Sequence, residues 1–188
     1  MAKIILIVLF SLLVVGDCKK RIVDSELEQS PIDSTTIMPL KIGNIWSYKV
    51  TRLDISRNVD TVLTYHRILT SSIIINNERW YDDSGGYIYT NKPGGLWKAI
   101  NDDTNYFALY PAKVNDKFPI WLDTAVVIST DSLIEVPAGK YRCYVYKASY
   151  STRFFSPGIG LIYGEEFYNS AYSDDFYLKW ELTSYLIK

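Results

Sequence analysis

The chain has 188 residues, of which 48% are hydrophobic and 22% charged, a balance that suits one folded domain with additional segments and excludes a disordered chain. Its 20 Lys and Arg residues against 21 Asp and Glu residues give a formal net charge of -1, so the basic excess of nucleic-acid-binding domains is absent. A single histidine leaves no multi-histidine metal site. We therefore expect no nucleic-acid partner, no metal and no cofactor.

Residues 1–17 have the composition of an export signal. Lys3 supplies a positive charge, and the stretch from Ile4 to Val15 contains no charged residue. This stretch is shorter than the roughly 20 apolar residues of a membrane span, and it matches the apolar region of about 7–15 residues in a secretory signal. We predict that residues 1–17 are a signal peptide.

The residues that follow indicate lipid attachment. The run from Val15 to Cys18 resembles the lipobox of bacterial lipoproteins, which are cut before a cysteine that is then acylated, although Asp17 stands where the motif has Gly, Ala or Ser. The prediction is a lipid on Cys18 and an anchor in the cell envelope, at the outer membrane on its periplasmic or surface side. Secretion after cleavage at Gly16 is the alternative. Cys143 is then expected to be a free, buried thiol.

A change of composition separates the N-terminal part from the rest of the chain. Residues 19–38 include no aromatic residue, in a chain that is 15% aromatic, and they are rich in charged and small polar side chains. We predict a flexible, lipid-anchored tether over residues 18–38 and a β-rich domain over residues 39–188.

Apolar and polar residues alternate with a period of two along several segments of this domain, which predicts half-buried strands. The clearest alternation covers residues 45–55, 62–69 and 178–186. The buried face of the last segment is predicted to carry Leu178, Trp180, Leu182 and Leu186. No window of eleven residues shows an apolar stripe of helical period.

Residues 134–143 predict a hairpin. Pro137 suits the second position of a tight turn, and Gly139 is expected at positive φ, closing a bulged hairpin from which Tyr141 and Cys143 point to one side. Similar turn signals lie between the other strands, without intervening helices. The fold class is therefore all-β and mainly antiparallel, a meander that closes into a partial barrel or a sandwich with little helix.

Three short motifs together resemble a group of Gram-negative envelope lipoproteins whose function is not established. They are PLKIGNIWSY at residues 39–48, PAGKYRC at 137–143 and PGIGL at 157–161, which resemble the patterns PLxxGNxWxY, PAGxFxC and PGxG-L. The resemblance implies an envelope location and an incomplete β-barrel. It implies no catalytic residues.

The titratable residues form no recognisable catalytic pattern. His66 lies within a predicted strand and is expected to be exposed or hydrogen-bonded there. Pairs of acidic residues recur in predicted loops, and the loop around Asp102 has the best composition for a calcium site, although it lacks the spacing of a calcium loop. A hydrolase that uses acids such as Asp102 or Glu165 on envelope glycans remains an alternative.

Aromatic residues are concentrated between residues 80 and 110, interleaved with two Gly-Gly pairs. Tyr and Trp combine rigid apolar area with a polar group, which suits a ligand-binding surface, but aromatics also simply fill barrels. The predicted ligand-binding residues are Trp80, Tyr81, Tyr87, Tyr89, Trp97 and Tyr106.

The hypothesis from these patterns is a membrane-anchored envelope lipoprotein that serves as a non-enzymatic binding or assembly module. Its partner would be a glycan, a small apolar ligand or another envelope protein. The alternatives are the hydrolase and a structural component of an envelope complex. Paired carboxyls about 5–9 Å apart in a cleft would favour the hydrolase. An aromatic groove without paired acids would favour binding, and an exposed apolar patch would favour the structural component.

Overall fold

Antiparallel strands make up most of the protein in the computed structural model, which describes residues 35–100, 103–121, 123–169 and 174–188. Residues 1–34, and with them the predicted signal peptide, Cys18 and most of the predicted tether, lie outside these ranges, as does Asp102. The strands are β1 (Ile45–Asp54), β2 (Val59–Ile75), β3 (Glu78–Asp83), β4 (Ile88–Lys92), β5 (Gly95–Ile100), β6 (Asp103–Leu109), β7 (Lys117–Ile120), β8 (Asp123–Val136), β9 (Gly139–Lys147), β10 (Ser151–Ser156), β11 (Gly160–Tyr168) and β12 (Phe176–Leu186). None of the described segments forms a helix long and apolar enough to cross a membrane.

The strands form a single twelve-stranded sheet that curls into a nearly closed barrel. Its order is β6-β5-β4-β3-β2-β1-β12-β11-β10-β9-β8-β7, so the two edge strands, β6 and β7, are consecutive in the chain. Side chains bridge the seam between these edges: the rings of Tyr106 and Phe118 lie 5.8 Å apart, and Trp121 N donates to Asn105 Oδ1 at 2.9 Å. This architecture confirms the predicted all-β meander.

The alternation of β1 places its large aromatic residues inside the barrel. Trp46 and Tyr48 are fully buried, and their polar groups donate to backbone carbonyls in the turn before β11 and at the start of β11. Trp46 Nε1 donates to Ile159 O at 2.7 Å, and Tyr48 OH donates to Leu161 O at 3.0 Å. Burying these rings with their polar atoms satisfied makes β1 a central element of the core.

The segment of residues 36–39 closes one end of the barrel. Gly158 N donates to Thr36 O at 2.8 Å, and Asn91 Nδ2 donates to Met38 O at 3.0 Å, so the segment connects the turn after β10 with the end of β4. Ile37 and Met38 are buried to 1% and 0% exposure. These two residues, which the composition shift assigned to the tether, belong to the core because their apolar side chains fill the end of the barrel.

A bulge corrects the prediction for the end of β12. Leu178, Trp180 and Leu182 pair with alternate residues of β1, but Ser47 then faces Ser184 while its neighbour Tyr48 faces Leu182. Thr183 is therefore an extra residue, and its hydroxyl donates to Ser47 O at 3.0 Å. The extra residue reverses the alternation, so that Leu186 is 51% exposed instead of buried.

The β8–β9 hairpin has the predicted turn. Gly139 has a φ of +132°, and it pairs directly with Val136, so the bulge expected at the glycine lies instead further along β8, between Val127 and Ser132. Tyr141 and Cys143 are buried as predicted, and Cys143 is a free thiol. Burial raises the pKa of Cys143 to about 12.

Candidate functional site

The predicted ligand-binding aromatics are divided between the two faces of the sheet. Cross-strand pairs share a face, and Tyr81 pairs with Tyr89, which in turn pairs with Lys98. Thr90 pairs with Trp97, which faces Tyr106 across β5 and β6. Because side chains alternate along a strand, Tyr81, Tyr87 and Tyr89 share one face, while Trp80, Trp97 and Tyr106 lie on the other.

The Trp80 face is tightly packed. Trp80 is 2% exposed, and Lys92 Nζ lies 5.0 Å from its ring and 5.1 Å from the ring of Trp97. The Trp97 and Tyr106 rings are 4.0 Å apart, and Tyr106 also contacts Phe118 at the barrel seam. On this face Trp97 contacts Tyr106, and the Lys92 ammonium lies near the rings of both Trp80 and Trp97.

Tyr81 lines an open cleft of about 390 Å³ at the end of the barrel that residues 36–39 close. Its wall includes Leu40 and Lys92, and Lys92 Nζ forms an ion pair with Glu78 at 2.6 Å. Lys92 and Glu78 are therefore paired with each other on one side of the cleft. A second group of charged and polar side chains lies inside the barrel.

Three cations converge on one aromatic ring in the interior. The ring of Phe107 lies 5.9 Å from Arg67 Cζ, 5.2 Å from Lys98 Nζ and 5.1 Å from Arg153 Cζ. Tyr89 packs against the same ring at 5.7 Å. These cations come from β2, β5 and β10, so the site exists only when opposite walls of the barrel come together.

The deepest layer of this site, which we call the floor, consists of Arg67, Asp83 and Tyr89. Arg67 and Asp83 are 5% and 3% exposed, and Arg67 Nε lies 3.3 Å from Asp83 Oδ2, without the alignment of a hydrogen bond. Asp83 Oδ1 instead accepts from Gly85 N and Tyr87 N at 2.8 and 2.9 Å, which fixes the turn after β3. Arg67 Nη1 and Tyr89 OH are buried without a hydrogen-bond partner.

The outer layer, which we call the mouth, consists of Tyr87, Lys98, Arg153, Glu166 and Tyr168. Arg153 Nη2 pairs with Glu166 Oε1 at 2.9 Å, and Tyr168 OH donates to Glu166 Oε2 at 2.7 Å. Lys98 Nζ lies 3.5 Å from the centre of the Tyr87 ring. Tyr168 is 40% exposed, so this layer reaches solvent.

The charges of the mouth act on one another. Burial, followed by the positive charges of Arg67 and Arg153, lowers the pKa of Lys98 to about 8. Burial alone would raise the pKa of Glu166, but Arg153 and Tyr168 outweigh it and hold that pKa below its ordinary value. Floor and mouth together contain three cations and two carboxylates, so one positive charge is left uncompensated.

The sequence offered one signal for the floor. Arg67 pairs with Trp46 inside the barrel and is flanked on its face by Tyr65 and Leu69, so a cation stands within an otherwise apolar face of β2. A charge in such a position needs a partner or a function, because desolvating it is costly. Arg153 and Glu166 carried no comparable signal. Their strands also have polar residues on the outside, so the sequence pattern does not show which polar residues of these strands face inward.

The remaining chemical candidates are held in ordinary contacts. His66 Nδ1 lies 2.9 Å from Ser47 Oγ on the exterior of β1 and β2, which confirms the expected hydrogen-bonded strand histidine. Glu165 pairs with Arg57 at 2.5 Å, and alternation directs it to the opposite face from Glu166. Within the described ranges, no three His, Cys, Asp or Glu side chains are grouped as metal ligands would be.

No family model matches this sequence, and no curated protein is significantly similar to it. Among solved structures, the chain is similar to a protein of Bacteroides fragilis NCTC 9343 described as an exported protein with a YmcC-like fold, with a TM-score of 0.52 and 11% identity over 80% of this chain and 98% of that chain. A chain of Parabacteroides distasonis ATCC 8503, described as a lipoprotein, matches with a TM-score of 0.42, 11% identity and the same coverage. The first match shows that the barrel shares the fold of the Bacteroides fragilis protein.

Proposed function

We propose that this chain is a lipid-anchored protein of the bacterial cell envelope, and that its barrel binds a small organic anion without transforming it. The envelope location is supported by the export signal at residues 1–17 and by the lipobox-like cysteine, Cys18. The Bacteroides fragilis protein with the same fold is described as exported, which agrees with this location. The outer membrane, on its periplasmic or surface side, is the proposed place of the anchor.

The buried donors at the floor carry the ligand part of the proposal. Arg67 Nη1 and Tyr89 OH have no hydrogen-bond partner, and each such group costs about 1–3 kcal/mol when it is buried unsatisfied. Most buried polar groups in native proteins are paired, so unpaired donors beneath a layer that reaches solvent indicate an acceptor that arrives with a ligand. A carboxylate or phosphate oxygen has the lone pairs to accept from both.

The charge and the walls of the site specify the ligand further. Lys98 is a cation for which the structure describes no ion pair, and it stands beside the Tyr87 and Phe107 rings. An oxyanion would balance the uncompensated charge, while the aromatic rings would contact an apolar body. The ligand class is therefore a carboxylate or a phosphate ester on an apolar or aromatic body.

The arrangement of the described acidic residues suits a binding protein better than a hydrolase. Asp83 and Glu166 are each paired with an arginine, and Glu165 is paired on the other face of the sheet. A glycosidase needs two carboxyls flanking one bond, and adjacent residues of a strand such as Glu165 and Glu166 cannot do so.

Titration of the purified domain with benzoate, phenyl phosphate and benzamide tests the ligand class. Benzamide is the control ligand because it is a neutral analogue of benzoate. We expect both anions to bind at pH 7 and benzamide to bind at least about tenfold more weakly, as the loss of a charged hydrogen bond implies. Lys98→Met should weaken benzoate binding by a similar factor, and so should raising the pH of the wild type to 9.5, where Lys98 is neutral. Lys140→Met is the control, because Lys140 is an exposed lysine on the distant β8–β9 hairpin.

Equal affinity for benzoate and benzamide, or unchanged benzoate affinity in Lys98→Met, would contradict the ligand assignment. Stronger binding of phenyl phosphate than of benzoate identifies the phosphate as the preferred oxyanion, and the reverse identifies the carboxylate. The anchor is tested separately by fatty-acid labelling and membrane fractionation. Wild type should carry acyl groups and Cys18→Ser should leave the membrane fraction, and an unlabelled wild type would refute the anchor.

A further inference from the structure

We propose a second binding site, a sugar-stacking cleft on the outside of the barrel that is independent of the mouth. The cleft has a volume of about 280 Å³ and lies between the turns after β1 and β9 and the ends of β11 and β12. We call it the outer cleft, and its walls include Arg57, Tyr150, Thr152, Glu165, Phe167 and Tyr177.

A continuous row of aromatic rings forms the base of the outer cleft. Tyr150 stacks on Phe167 with ring centres 6.1 Å apart and an angle of 24° between the planes. Phe167 contacts Tyr177 at 4.9 Å, and Arg57 Cζ lies 3.6 Å above the Tyr177 ring. Tyr150 is 63% exposed, so the row ends in an aromatic side chain open to solvent. A rigid apolar platform of this kind suits a flat ligand face.

Polar groups of several kinds surround the aromatic row. Glu165 accepts from Arg57 and from the hydroxyl of Tyr163, so a carboxylate and a guanidinium stand side by side at the edge of the row. Ser149 is held by Asp123, which accepts from its backbone N at 2.9 Å and from its hydroxyl at 3.3 Å. Together with the hydroxyl of Thr152, the cleft offers acceptors, donors and groups that do both.

This combination matches a pyranose ring. Such a ring carries an apolar face of C–H groups, which packs on an aromatic surface, and a rim of hydroxyls, each of which donates and accepts. A purely apolar ligand would leave the carboxylate and guanidinium unused, and a simple anion would leave the aromatic row unused. The volume lies at the small end for ligand pockets, which suits one sugar ring instead of an extended chain.

The outer cleft and the mouth lie on opposite faces of the same strand. Glu165 and Phe167 line the cleft, whereas Glu166 and Tyr168 belong to the mouth, because side chains of β11 alternate. A change to one site therefore leaves the other in place, which gives matched controls.

Saturation-transfer NMR with three sugars tests the proposal: methyl β-D-glucopyranoside, methyl β-D-galactopyranoside and N-acetylglucosamine. Sorbitol is the control ligand, since it has the same hydroxyl chemistry without a ring face. We expect transfer to the ring hydrogens of at least one sugar and none to sorbitol. Tyr150→Ala should reduce that transfer at least about fivefold, and Glu165→Gln should reduce it as well. Tyr168→Ala, on the other face of β11, should leave it unchanged.

The proposal is overturned if none of the three sugars shows transfer, if sorbitol equals them, or if Tyr150→Ala has no effect. Tyr150 is mostly exposed, so its replacement should leave the fold intact, and unchanged benzoate binding at the mouth would verify this. Loss of benzoate binding in Lys98→Met with retained sugar transfer would show that the two sites are separate, so that failure of one proposal is distinguishable from failure of the other.

Discussion

Replacing Lys98 with methionine should make the folded protein more stable at pH 7. Burial and the neighbouring Arg67 and Arg153 lower the pKa of Lys98 from 10.5 to about 8, so the folded state holds this proton less tightly than the unfolded state. Each pKa unit corresponds to about 1.4 kcal/mol, so the shift sets an upper limit of about 3–4 kcal/mol on the destabilisation. Methionine has a similar length and no charge.

Two effects reduce the expected gain. Lys98 is only partly buried, so solvent screens part of its charge, and its contact with the Tyr87 ring, worth about 0.5–2 kcal/mol, is lost in the variant. We therefore expect Lys98→Met to raise the free energy of unfolding by about 1–2 kcal/mol at pH 7. A cation that destabilises the fold and binds the ligand would be an instance of stability sacrificed for function.

The pH dependence has a definite sign. Below about pH 8 both states hold the proton and the full destabilisation is present, whereas above about pH 10.5 both are neutral and it is gone. As the pH rises between these limits, the wild type gains stability relative to the Lys98→Met variant. Urea unfolding followed by tryptophan fluorescence at pH 7 and 9.5 measures this, with Lys140→Met, an exposed lysine, expected to change stability by less than about 0.5 kcal/mol. A difference between Lys98→Met and wild type that does not shrink from pH 7 to pH 9.5, or a variant less stable than wild type at pH 7, would refute this reasoning.

Three further predictions concern the core. Trp46→Ala should lower the free energy of unfolding by about 3–5 kcal/mol, because it empties a fully buried site and leaves Ile159 O without its donor; chemical denaturation showing a loss under about 1 kcal/mol would disprove it. Gly139→Val should cost about 1–3 kcal/mol at a φ of +132° and speed alkylation of Cys143, whose thiol should react slowly in the native protein; rapid native alkylation would count against the packing of this hairpin. Met38→Asp should destabilise by several kcal/mol through a buried, unpaired charge, whereas an unchanged thermal midpoint would mean that residues 36–39 do not close the barrel.

Local features of the fold were predictable from the sequence. The period-two alternation identified the strands, since pleating directs alternate side chains to opposite faces wherever a strand lies. The positive φ of Gly139 and the burial of Cys143 followed from the residues around them. Leu186 was assigned to the wrong face because a single extra residue, Thr183, reverses the alternation, and whether a strand carries a bulge depends on its partner strand.

The candidate site was much less predictable. Phe107 lay within the aromatic stretch, but the three cations around it come from strands far apart in the chain, and only the closure of the barrel brings them together. Ile37 was assigned to the tether because the surrounding composition is polar, and two apolar residues are too few to change that composition. In both cases the missing information is which distant segments of the chain come into contact.

The closure of one barrel end by residues 36–39 has a mechanical consequence. The chain enters the barrel through this segment, so a pull on the residues before Thr36 would reach the barrel at its closed end. Any pull along the chain would first load the Thr36–Gly158 and Met38–Asn91 hydrogen bonds, which are 2.8 and 3.0 Å long, and the buried side chains between them. The segment would distribute that force between β4 and the turn after β10, so that no single strand carried all of it.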